Sequence, residues 1–117
     1  MSNITIYHNP RCSKSRTSLA LLEEKGVTPD IVLYQETPLD AATISALLAK
    51  LNMKASDLVR RGEADYKEAG LSRESTEQEL IAAMVDRPKL IERPIVVNGD
   101  KAVLGRPPEN VLELLAQ

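Results

Sequence analysis

The stretch YHNPRCSKSRTSL, residues 7 to 19, holds the chain's only cysteine, Cys12, and its only histidine, His8, with Arg11, Ser13, Ser15 and Arg16 close by. A thiol reacts as its thiolate, and an ordinary thiol with a pKa of about 8.5 is only a few per cent ionised at neutral pH. A downward shift of about two units makes it mostly thiolate and takes about 2.7 kcal/mol of preferential stabilisation. A helix N-terminus offers part of this through its unpaired N–H groups and the positive end of its dipole. His8, Arg11 or Arg16 can add to it, and Ser13 and Ser15 can donate to sulfur or to an oxyanion. The bland alternative is that Cys12 is a small buried hydrophobe and His8 a surface or capping residue. Against the first stands the polar run NPRCSKSR, since buried cysteines sit in apolar surroundings. One Cys and one His are too few soft ligands for a metal site.

The elements that must position this stretch follow from patterning. Residues 3 to 7, NITIY, alternate as a short strand does. Pro10 interrupts it, because proline cannot donate to a ladder and restricts the residue before it. From Ser13 the pattern turns helical, with an apolar face at Leu19 to Leu22, closed by Gly26 and Pro29. DIVLY, 30 to 34, reads as a second, more fully buried strand, completing a parallel βαβ unit. TPLD, 37 to 40, reads as a capping-box start with Pro38 at the first helical position. Ile44, Leu47, Leu48 and Leu51 then repeat at helical spacing. A shorter helix is expected from Ser56 through DLVRR to Gly62, and another from Ser75, paired with Gln78, to Pro88. Asn98-Gly99-Asp100 between two β-prone runs signals a hairpin, and RPPENVLELLAQ a final helix with Val111, Leu112 and Leu115 facing the sheet.

This order predicts an α/β, thioredoxin-like fold: a mixed four-stranded sheet with flanking helices and a helical insertion in the middle. Strand order is not visible in sequence, so an αβ sandwich of another topology stays open. At 117 residues, 43 % hydrophobic and 27 % charged, the chain suits a single domain, residues 1 to 117. A net charge of −2 and only three aromatic residues, all Tyr, argue against nucleic acid and anionic membrane as partners. The N-terminus has no signal-peptide pattern, no run is long and apolar enough to span a bilayer, and a lone cysteine fits a reducing compartment. The expected location is the cytoplasm.

The segment YHNPRCSKSR resembles the active-site stretch of the glutaredoxin-coupled arsenate reductases, His-Asn-Pro-x-Cys-x-x-Ser-Arg. LVRRGEADYKEAGL resembles that family's arginine-bearing segment, IERPIVV its Arg-Pro strand entry, and GRPPENVLELL its last Arg-Pro and helix, all in the same order. The resemblance implies an oxidoreductase active in arsenic detoxification, with Cys12 attacking arsenate. Arg60, Arg93 and Arg106 would bind the oxyanion, for which forked guanidinium donors are suited; Arg61 competes with Arg60 for that place. His8 would tune the thiolate electrostatically and Ser15 would donate to the sulfur. Pro94, facing the cysteine, is the expected cis proline. No cofactor is expected to be bound. With no second thiol in the chain, electrons would come from glutathione as co-substrate and from glutaredoxin as partner.

Three rivals stand beside this reading. A low-molecular-weight phosphatase needs Cys-x5-Arg, and fails on spacing because position 18 is Ser. A glutathione-dependent thiol oxidoreductase of the same fold, with another substrate, stays open. A non-catalytic, transcription-regulator-like module would sense oxidation with Cys-x-x-Cys, and position 15 is Ser.

Overall fold

The computed structural model describes residues 4–36 and 39–116. The chain divides into two compact units, one of residues 1–37 and 93–117, the other of residues 38–92.

The first unit is built on a four-stranded sheet of order β2-β1-β3-β4. Strand β1 (Ile4–Tyr7) pairs in parallel with β2 (Asp30–Val32) and antiparallel with β3 (Ile95–Asn98), and β3 continues antiparallel into β4 (Lys101–Leu104). The mixed sheet with helices around it is the thioredoxin-like arrangement. In β1, Ile4 and Ile6 are buried while Thr5 and Tyr7 are partly exposed, the period-two pattern of a half-buried strand. The hairpin turns on two residues, with Asn98 opposite Lys101 and Gly99 at φ +62° in the first turn position, which favours glycine.

Helix α1 (Ser13–Glu24) and a C-terminal 3-10 helix (Pro108–Ala116) pack together over the sheet. Their shared core is Ile4, Ile6, Leu22, Val96, Val111 and Leu114. The buried stripe of α1 is not the expected leucine run: Ser15, Ser18 and Leu22 go inside, while Leu19 and Leu21 pack only at the margin. Strand β2 also departs from expectation. It is an edge strand rather than a buried one, with Asp30 exposed and Ile31 49 % exposed. A run of apolar residues does not say which strand will have a neighbour on only one side.

The second unit is helical: α2 (Ala41–Leu51), α3 (Ala55–Leu58), α4 (Ala64–Glu68) and α5 (Glu77–Asp86), followed by a 3-10 turn at Pro88–Leu90. Asp40, not Thr37, caps α2 by accepting from the Thr43 N–H at 2.7 Å; Thr37 and Pro38 lie outside the described residues. The capping box of α5 sits one residue later than expected, on Thr76 and Glu79. Helix α3 stops at Leu58 because Val59 bridges to Ile91, with Arg60 N donating to Leu90 O and Glu92 N to Leu58 O. Arg60 therefore lies outside the helix. The short helix α4 is an addition to the elements that patterning predicts. No helix among the described residues is long and apolar enough to cross a membrane.

Candidate active site

The chain leaves β1 through His8-Asn9-Pro10-Arg11 and enters α1 with Cys12 as its N-cap, in extended conformation. The loop is drawn tight by its own polar groups. Cys12 N donates to Asn9 O at 3.0 Å, and Arg11 N donates to Asn9 Oδ1 at 3.0 Å. The buried Ser15 hydroxyl accepts from Asn9 N at 3.0 Å and lies 2.6 Å from His8 Nδ1. Burial, and after it the Arg16 charge, push the His8 pKa below its ordinary value. A neutral ring whose Nδ1 accepts the Ser15 proton satisfies both contacts of that hydroxyl.

This corrects one expectation. The Ser15 side chain does not donate to the sulfur, since its hydroxyl is taken up by His8 and Asn9. What Ser15 offers the sulfur is its backbone N–H. Partial burial raises the Cys12 pKa, but the Ser15 N–H, the Arg93 charge, the Lys14 N–H and an Arg93 side-chain hydrogen bond together bring it below the usual thiol value. The sulfur makes no close capping hydrogen bond, so the N–H groups act at longer reach, as the open end of a helix does. The cation that matters is Arg93 rather than Arg11 or Arg16. Arg16 is exposed and donates instead to Pro10 O at 2.8 Å, closing the loop from outside.

Arg93 enters just before β3, and the Arg93–Pro94 bond is cis; Arg106–Pro107, not expected to be cis from the sequence, is cis as well. Arg106 Nη1 donates to Arg93 O at 3.1 Å, bracing the backbone that carries Arg93. Gly105 N donates to Pro94 O at 2.9 Å, and a Cβ at 105 would overlap the Pro94 ring and the Ser18 hydroxyl. Gly105 and Asn9 are the residues that sequence reasoning missed, although each stood inside a quoted motif.

Cys12, His8, Ser15, Arg93, Pro94 and Arg106 thus belong to one unit, and Arg60 to the other. There Arg60 is held by carboxylates, with Nη1 2.9 Å from Glu63 Oε1 and Nε 3.4 Å from Glu92 Oε1. Arg61 is exposed and donates to Ser56 O.

The sequence model of the ArsC family matches residues 7–114. The chain belongs to the ArsC family. Among its relatives is the uncharacterized protein YfgD of Escherichia coli (strain K12), 59 % identical over 114 residues that cover 96 % of each chain. The arsenate reductase of Neisseria meningitidis serogroup A is 43 % identical, covering 98 % of this chain and all of its own. A solved structure, the arsenate reductase from Vibrio cholerae, superposes with a TM-score of 0.93 at 44 % identity, over 97 % of this chain and 98 % of that one. In this ArsC chain the matched region takes in every residue of the site.

Proposed function

We propose that this protein reduces arsenate to arsenite through a covalent adduct on Cys12. The observation that supports it is the pairing of a thiol held below its ordinary pKa with the guanidinium that helps to hold it there, Arg93. Arg93 Nε is buried and has no hydrogen-bond partner among the described residues, so a donor remains for an anionic oxygen. Arg106 fixes the segment that carries it.

The thiolate attacks arsenic, an S–As bond forms, and one oxygen leaves as water with two protons. Reducing As(V) to As(III) takes two electrons, which one cysteine cannot give alone. A glutathione thiolate therefore attacks the Cys12 sulfur; the S–As bond breaks with its electron pair on arsenic, releasing arsenite and leaving a Cys12–glutathione disulfide. Glutaredoxin reduces that disulfide and returns the thiol. The low Cys12 pKa serves both ends of the cycle, as nucleophile first and as the leaving thiolate when glutaredoxin takes the glutathione sulfur.

Arsenite formation from arsenate, glutathione and glutaredoxin tests the reading. Wild-type protein turns over and Cys12→Ser does not; a Cys12→Ser variant that still forms arsenite, or a wild-type protein that forms none, overturns it.

A further inference from the structure

Beside the reactive loop, in the same unit, lies a cavity of about 270 Å³ lined by loop residues 8–11 and by Leu33, Gln35 and Glu36. Neither Cys12 nor the Arg93 and Arg106 side chains line it, so it is separate from the oxyanion chemistry. Its chemistry is that of a receptor for a molecule carrying both signs of charge. His8 is 94 % buried, at 6 % exposure, and its Nδ1 is taken by Ser15. The Nε2 atom makes no hydrogen bond to any described residue and is not sealed in the interior. In the neutral ring this atom carries the proton, so it is a donor facing outward from a nearly buried side chain. Arg11 and Glu36 are exposed at the rim and form no ion pair with each other or with any other described residue. Leu33 and Pro10 add apolar wall.

We propose that this cavity binds an α-amino-acid head group, its carboxylate on Arg11 and His8 Nε2–H and its ammonium on Glu36. With the function proposed above, on which this identification rests, the ligand is the γ-glutamyl end of glutathione. The cavity is somewhat smaller than a site for a whole drug-sized ligand, about 300–1,000 Å³, and so fits one end of a small peptide. Three extended residues span about 10 Å. Cys12 directly follows Arg11 and is tied back to Asn9, so a thiol one residue from the held head group comes within reach of its sulfur. The site accounts for how a chain with one cysteine selects its external thiol.

The test is binding to the full-length Cys12→Ser protein, which removes the chemistry. Calorimetry compares S-methylglutathione with S-methylcysteinylglycine, which lacks the head group. The expected result is a preference of about ten-fold or more for the first, worth one charge-assisted contact. Arg11→Ala and Glu36→Ala, added singly, each bring the two ligands within about two-fold; both side chains are exposed, and an unchanged unfolding midpoint verifies the fold. Equal affinities at the start, no binding of either compound, or a preference that survives both substitutions overturns the proposal. The arsenite assay separates the two readings. Arsenite formation without the binding preference sinks the cavity alone, whereas the preference without arsenite formation sinks the proposed function and leaves a head-group site in place.

Discussion

Arg93 and Arg60 make an instructive pair. Both are half-buried arginines, both lie in segments that resemble the family's arginine motifs, and each stands outside a helix and close to a strand-like pairing. Yet their charges are answered differently. Arg93 is turned to a sulfur, lowers that thiol's pKa and keeps Nε without a protein partner. Arg60 is met by two carboxylates, Glu63 and Glu92. On the proposed function, a guanidinium whose anion is the reactive sulfur serves chemistry in the resting protein, whereas one held by structural carboxylates must exchange them before it can hold a substrate. Residue identity in a motif says nothing about which of these states a charge is in.

The largest break in this comparison comes from Arg93→Ala. It should lower kcat/KM for arsenate by about a hundred-fold, as loss of an oxyanion donor does, and raise the Cys12 pKa read from iodoacetamide alkylation against pH. Arg93→Lys keeps the charge and loses the fork, and should cost about ten-fold, one charge-assisted hydrogen bond of about 1.5 kcal/mol. The same alkylation curve measured on Arg60→Ala should not move, because the groups that set the Cys12 pKa are Ser15, Lys14 and Arg93. A shift as large as that of Arg93→Ala would erase the distinction.

A smaller effect sharpens it through stability. The unfolded thiol titrates at its ordinary value, about 8.5, and the native one lower. Between those values the unfolded chain binds more protons, so stability rises with pH through that window, is fully present above the unfolded value, and is lost as pH falls through the native pKa. Urea midpoints of wild type should climb from neutral pH to about pH 9 relative to Cys12→Ser; parallel curves would contradict the thiolate.

The smallest effect belongs to Glu63→Gln. The Arg60–Glu63 pair is partly exposed, with side chains 23 % and 30 % accessible, so its loss should destabilise by less than about 1 kcal/mol. Releasing Arg60 from one carboxylate should lower KM for arsenate by about two- to five-fold. An unchanged KM would mean that Arg60 does not bind substrate.

Much of this was legible in the residues. Local rules give β1, the start of α1, the hairpin at Gly99 and the stop before Pro88, because each depends on neighbours within a few positions. The failures share a cause in distant partners. Helix α3 ends early because Val59 pairs with Ile91, far along the chain. Strand β2 is exposed at the end of the sheet, with no described strand bonded to its outer edge. Ser15 reads as a donor to sulfur because its hydroxyl stands close to Cys12 in the motif, but His8 and Asn9 reach back across the loop to claim that hydroxyl. Composition likewise does not show that Arg60 lies between carboxylates, one of them beyond the whole of α4 and α5.

At position 105 the backbone has room for a hydrogen atom and nothing larger, wedged between a proline ring and a serine on the first helix. Any side chain there would have to shove the Arg93–Pro94 segment one way or the helix bearing Cys12 the other. The separation between guanidinium and sulfur is thereby gauged by the smallest residue available, and drift at this single glycine would detune the pair without touching either member.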